Sequence, residues 1–152
     1  MTTKKNNGFT LIELIIVILI ISVLSSVAYS SYKNSVTKAK RAEGKTALLK
    51  LMQQEEQFYT QNNSYIVFSQ ASTDVNEIRF KWYSGEAAAT SSYEIKATAC
   101  AGDTIQNCVL LTATPGTSNV NSNYSDADCG NFTLTSTGIK DVSVSGAKST
   151  CW

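Results

Sequence analysis

From Phe9 to Ala28 the chain is an apolar run broken by one carboxylate, Glu13, and by four hydroxyls at Thr10, Ser22, Ser25 and Ser26. Twenty such residues are about the length that crosses a bilayer as a helix. Lys4 and Lys5 precede the run, which predicts a cytoplasmic N-terminus and a C-terminal bulk on the other side. A cleaved secretory signal would place a small-residue cleavage site after the run, and Ser26-Val27-Ala28 matches that pattern only weakly. A plain signal anchor explains the length and the lysines but leaves Glu13 without a reason. On insertion scales a carboxylate at the centre of a spanning helix costs about 2.5–3.5 kcal/mol, and less near an end, where Glu13 lies.

The other residues narrow the function classes. The chain has 152 residues, room for one domain with a modest core. Charged residues make up 16%, below the usual about 25%, and the formal charge is +1. There is no histidine, which excludes histidine acid–base chemistry and histidine metal ligation. No phosphate-binding loop and no nucleophile–base pair stands out, so we expect no catalytic residues, no metal and no cofactor. Cys100, Cys108, Cys129 and Cys151 form no CxxC pair and match no zinc spacing. Behind a membrane-targeting segment they predict two disulfides in an oxidising compartment, with three connectivities open.

Beyond the apolar run, residues 29–60 contain no proline and one glycine, Gly44, and are rich in Ala, Lys, Leu, Gln and Glu. That composition continues the helix. Ala47, Leu48, Leu51, Met52, Glu55 and Phe58-Tyr59 recur at three- to four-residue spacing, an amphipathic face with Glu55 its one polar member. A helix from Phe9 to about Tyr59 would be roughly 75 Å long at 1.5 Å per residue. Gly44 is a possible soft point, at a cost of about 1 kcal/mol relative to Ala. The polar run Thr60–Ser64 ends the helix. Residues 78–83, 93–99, 108–114, 132–136 and 139–144 read as strands, with Thr137-Gly138 as a hairpin turn. A long helix followed by antiparallel strands is an α+β pattern.

Gly8-Phe9-Thr10-Leu11-Ile12-Glu13, after a short basic leader, resembles the class III signal of type IV prepilins. The resemblance implies cleavage between Gly8 and Phe9 by a prepilin peptidase and N-methylation of Phe9. It also implies that Glu13 pairs with the N-terminal amine of a neighbouring subunit during assembly. Residues 41–68, the stretch Asp128–Lys140 and the final Cys151-Trp152 resemble PilE-type minor pilins, while 69–92 matches loosely. The family's terminal loop implies a Cys129–Cys151 bond, which leaves Cys100–Cys108 to close a short turn. Related pilins often carry a helix-kinking proline where this chain has Ser30, so a proline kink is not implied here.

The resulting expectation is the type IV pilin fold. It divides into a leader (1–8), a transmembrane or filament-core helix (9–32), an amphipathic continuation (33–60) and an antiparallel sheet head (61–152). The implied function is that of a minor pilin, a non-enzymatic subunit for pilus assembly serving adhesion, twitching motility or DNA uptake. Its partners would be other pilins, the prepilin peptidase and the inner-membrane assembly machinery. The subunit would be single-pass in the inner membrane with a periplasmic head, then part of an extracellular pilus. Two alternatives stand beside it. One is a type II secretion pseudopilin, for which Asp126 and Asp128 make too poor a calcium site. The other is a DNA- or surface-binding receptor, with Arg79, Lys81 and Lys96 as a small basic patch; binding of nucleic acid stays open.

Overall fold

The structure, a computed structural model, describes residues 9–152. One long helix, α1 (Leu11–Asn62, 52 residues), is followed by a four-stranded sheet and a short C-terminal helix. The chain divides into two compact units after Lys38.

In the first unit α1 presents its aliphatic side chains to the outside. Leu11 is 76% exposed, and Leu14, Ile18, Ile21 and Leu24 are all more than half exposed. A segment of mean hydropathy 2.8 with 0% of its length buried makes this the one helix among the described residues long and apolar enough to cross a membrane. Ser22 and Ser26 donate their hydroxyl hydrogens to the carbonyls of Leu19 and Val23, each at 2.8 Å, so neither leaves an unpaired donor on the apolar surface. The backbone stays helical through Tyr29–Tyr32.

In the second unit the amphipathic part of α1 lies in the core. Leu48 and Leu51 are buried, and Ala47, Met52, Phe58 and Tyr59 pack at the margin. Each buried leucine contributes about 1.5–3 kcal/mol by leaving water. α1 ends at Asn63, which takes the left-handed conformation (φ 55°) and donates its N–H to Tyr59 O at 2.8 Å. Asparagine tolerates that cap better than most side chains.

β1 (Tyr93–Ala99), β2 (Val109–Pro115), β3 (Phe132–Thr135) and β4 (Lys140–Val142) form an antiparallel sheet in the order β1-β2-β3-β4. Ile95 pairs with Ala113 and Ala97 with Leu111, while Leu111 and Ala113 pair with Leu134 and Phe132. All six are buried in the same core as Leu48 and Leu51. The period-two alternation thus sends one face of each strand inward. Between β3 and β4, Gly138 (φ 82°) supplies the left-handed turn residue. α2 (Lys148–Cys151) closes the chain.

The segment 78–83 is not a strand. Asp74 Oδ1 accepts from Asn76 N–H at 2.8 Å, Asp74 O accepts from Ile78 N–H at 3.0 Å, and Glu77–Arg79 forms a 3-10 helix. The aspartate-initiated turn supplies local hydrogen bonds that outweigh the weak alternation of Ile78 and Phe80. Only Tyr83 bridges to the sheet, opposite Glu94.

Candidate functional site

At the start of α1, Thr10 and Glu13 form a reciprocal cap. Glu13 Oε2 accepts from the Thr10 N–H and from the Thr10 hydroxyl, both at 2.8 Å, and Glu13 N–H donates to Thr10 Oγ1 at 3.3 Å. The Thr-x-x-Glu spacing satisfies donors that a helix N-terminus otherwise leaves free. Within one subunit, then, the carboxylate already has partners. Phe9 precedes the helix and is 94% exposed. Gly8 and the rest of the leader lie outside the described residues.

In the head, one cation organises the C-terminal region. Arg41 Nε donates to Asp126 Oδ2 at 2.8 Å, and Arg41 Nη2 to Asp126 Oδ1 at 2.5 Å and Asp128 Oδ2 at 2.9 Å. Asp126 also accepts from Tyr93 Oη at 2.8 Å and from Cys129 N–H at 3.1 Å. Burial pushes the Asp126 carboxyl up, but Arg41, Tyr93 and the Cys129 N–H outweigh it and hold the group below the usual aspartate value. Burial, reinforced by the hydrogen bonds to Tyr124 and to Asp126, pushes the Tyr93 phenol well up. The two aspartates considered above for a calcium site are therefore ligands of an arginine.

The disulfides are Cys100–Cys108 and Cys129–Cys151, with Cα separations of 5.4 and 5.8 Å. The first closes the β1–β2 loop. The second ties the segment before β3 to α2, where Lys45 Nζ donates to Cys151 O at 2.7 Å. α1, β3 and the C-terminus thus share one anchor.

The basic residues do not form the patch expected from the sequence. Arg79 and Lys81 line a cleft of about 390 Å³ together with Lys50 of α1, Glu43, Tyr83 and Ser84. Lys96 lines a separate groove of about 400 Å³ along β1, with Val67, Phe68 and Glu77. The 3-10 turn, absent from the period-two reading, is what turns Arg79 and Lys81 towards α1. Lys50, Arg79 and Lys81 take part in no salt bridge among the described residues, while Glu43 is engaged by the Ser84 hydroxyl at 2.6 Å. Sequence reasoning missed Lys50, whose one signal was its place beside the apolar stripe, and missed the Arg41–Asp126 pair, whose partners stand 85 residues apart.

Residues 30–133 match the family described as "Type IV minor pilin ComP, DNA uptake sequence receptor", and residues 3–29 match the prokaryotic N-terminal methylation motif. The chain is 33% identical over 99 residues to the "Type IV major pilin protein PilA" of Myxococcus xanthus (strain DK1622), covering 65% of this chain. The match spans 40% of that relative's length. A solved structure, "High-Resolution Structure of a Type IV Pilin from Shewanella oneidensis", is 22% identical at a TM-score of 0.45, over 76% of this chain and 96% of that one.

Proposed function

This chain belongs to the type IV minor pilin family, and from that premise we propose that it is a subunit of an extracellular filament, held in the fibre by the apolar part of α1. The observation that carries this reading is the unburied aliphatic surface from Leu11 to Leu24. Such a surface is stable in lipid or against other apolar helices, and unstable in water. The subunit waits in the inner membrane with its head periplasmic. It leaves the membrane when other pilin helices replace the lipid.

In this reading a prepilin peptidase cuts between Gly8 and Phe9 and the new amine of Phe9 is methylated. Glu13 then exchanges its Thr10 partners for the N-terminal amine of a neighbour, a charge pair that gains strength in an apolar medium. The role is structural, with no catalytic group. Mass spectrometry of the membrane-extracted protein is expected to find a chain beginning at N-methyl-Phe9. Glu13→Ala is expected to be processed normally but depleted from sheared filaments. Normal incorporation of that variant would remove the pairing mechanism, and a product lacking the apolar run would remove the filament reading altogether.

A second reading has one specific support. The matching family is described as a DNA uptake sequence receptor, and Lys50, Arg79 and Lys81 line one cleft, beside Glu43, and form no salt bridge among the described residues. Three cations so placed suit a phosphodiester backbone. Anisotropy of a labelled duplex is expected to report salt-sensitive binding, with each of Lys50→Gln, Arg79→Gln and Lys81→Gln lowering the log–log salt slope by about 1. An unchanged slope in all three would place any DNA contact elsewhere.

A further inference from the structure

We propose that Glu55 is a protonation-controlled clamp that holds the chain reversal 63–68 on α1 and so keeps the outer edge of β1 covered at Ala97. This goes beyond the filament and DNA readings and depends on neither.

The geometry is unusual for a carboxyl group. Glu55 is 0% exposed, in the middle of the core face of α1. Its Oε2 accepts a single hydrogen bond, from Ile66 N–H at 3.1 Å, and its Oε1 has no hydrogen-bond partner among the described residues. The titratable groups around it give it no positive charge. Glu56, next along α1, accepts the hydroxyl of Tyr65 at 2.9 Å, and Tyr65 stacks on Tyr59 at 4.6 Å. Among the described residues no lysine or arginine pairs with Glu55. A neutral carboxyl costs less there than a charged one, although it leaves one oxygen without a partner among the described residues. An ionised one, with one N–H donor and a like charge beside it, cannot without drawing in water.

Ile66, the partner of Glu55, is two residues from Phe68, and Phe68 guards the sheet. Phe68 O accepts from Ala97 N–H at 2.9 Å, and the two residues form an isolated bridge beside β1. Phe68 also stacks on Phe80 at 5.2 Å. β1 is an edge strand, and further along its outer side Trp82 O accepts from Ile95 N–H at 2.7 Å and Ser84 N–H donates to Tyr93 O at 3.0 Å. Release of 63–68, which carries the one N–H donor to Glu55 among the described residues, would let water reach the carboxyl and would bare the strand edge at Ala97. An open edge of this kind is a site for pairing with another chain.

Burial, helped by Glu56 and opposed by the Ile66 N–H, pushes the Glu55 carboxyl up from 4.5 to about 7. The closed state therefore binds the proton more tightly than the open state. Closure is strongest below about pH 4.5, weakens as pH rises towards about 7 and is level above that. Between those limits the opening constant rises by up to about tenfold per pH unit.

The test is amide hydrogen exchange of the full-length chain in detergent micelles from pH 4.5 to 8.5, corrected for intrinsic exchange. Protection of the Ile66 and Ala97 amides is expected to fall by more than about tenfold between pH 5 and 8 and to level off above pH 7, while the Leu111 and Leu134 amides stay unchanged. Glu55→Gln is expected to hold both amides protected at every pH. Three results would overturn the proposal: a flat profile at Ala97 in the unmodified chain, the same pH dependence in Glu55→Gln, or its loss in Glu56→Gln. The unmodified chain decides the first of these even if a variant fails to fold.

Discussion

Tyr93 and Gly44 are packed so closely that a methyl group on Gly44 would lie 2.8 Å from Tyr93 Cδ2. The ring cannot retreat easily, because its hydroxyl is bonded to Asp126 and to Tyr124 at 2.8 and 3.0 Å. Gly44 is therefore a seat for an aromatic ring within a continuous helix, and α1 runs through it without a break.

Gly44→Ala sets two effects against each other. Helix propensity gains up to about 1 kcal/mol, and overpacking costs about 1–3 kcal/mol. With the ring held by two hydrogen bonds the second effect wins. The variant is expected to melt a few degrees lower by circular dichroism in micelles, at about 2–4 °C per kcal/mol. Combined with Tyr93→Leu, it is expected to cost less than the sum of the two single changes, because the obstructing ring is gone.

Arg41→Ala leaves Asp126 covered and without its cation; the aspartate side chain is 0% exposed in the pair. The expected loss is about 3 kcal/mol at neutral pH. Because the folded carboxyl sits below its ordinary value of 3.8, the stability it contributes is present above that pH and is lost as pH falls through the lower folded value. The gap in melting temperature between parent and variant should accordingly narrow from pH 7 to pH 3. A constant gap would mean that Arg41 acts by packing alone.

Replacing both members of a disulfide with serine is expected to cost more at Cys129–Cys151 than at Cys100–Cys108. The longer loop, 22 residues against 8, gives about 3.4 against about 2.5 kcal/mol on the chain-entropy model. Cys129 and Cys151 are also buried, at 0% and 2%, so serine hydroxyls there lose hydration as well. Thermal melts of the two double variants without reductant check the order.

Thr10→Val removes both of the hydroxyl's bonds to Glu13. The lost cap is worth about 1 kcal/mol, so the amides of the first turn of α1 are expected to exchange roughly fivefold faster in micelles. Thr10→Ser should restore the parent rate. If both variants exchange as the parent does, the cap is not formed in the membrane-mimicking state.

The helix and most of the sheet were legible because their signals are local. The expected strand 93–99 coincides with β1, and 108–114 lies one residue ahead of β2. Leu48, Leu51 and even Glu55 stand on the predicted inward face. The helix runs to Asn62, three residues past the expected end but inside the polar run 60–64 expected to stop it, where Asn63 forms the cap. Segment 78–83 was misread because a short alternation looks like a strand when the Asp74 turn ahead of it is not weighed. The basic patch failed for the same reason, since Lys96 and Arg79 belong to different sides of that turn.

The sequence alone determined the apolar rod, its carboxylate-bearing start and the α+β order of elements, because each depends on spacing within a few turns or one strand. Only the tertiary structure decided that Arg41 meets Asp126, that Gly44 receives Tyr93 and that Glu55 lies sealed beneath Ile66. Those relationships join residues on different segments, from 11 to 85 positions apart, and their energies come from shared exclusion of water, which no single segment can arrange.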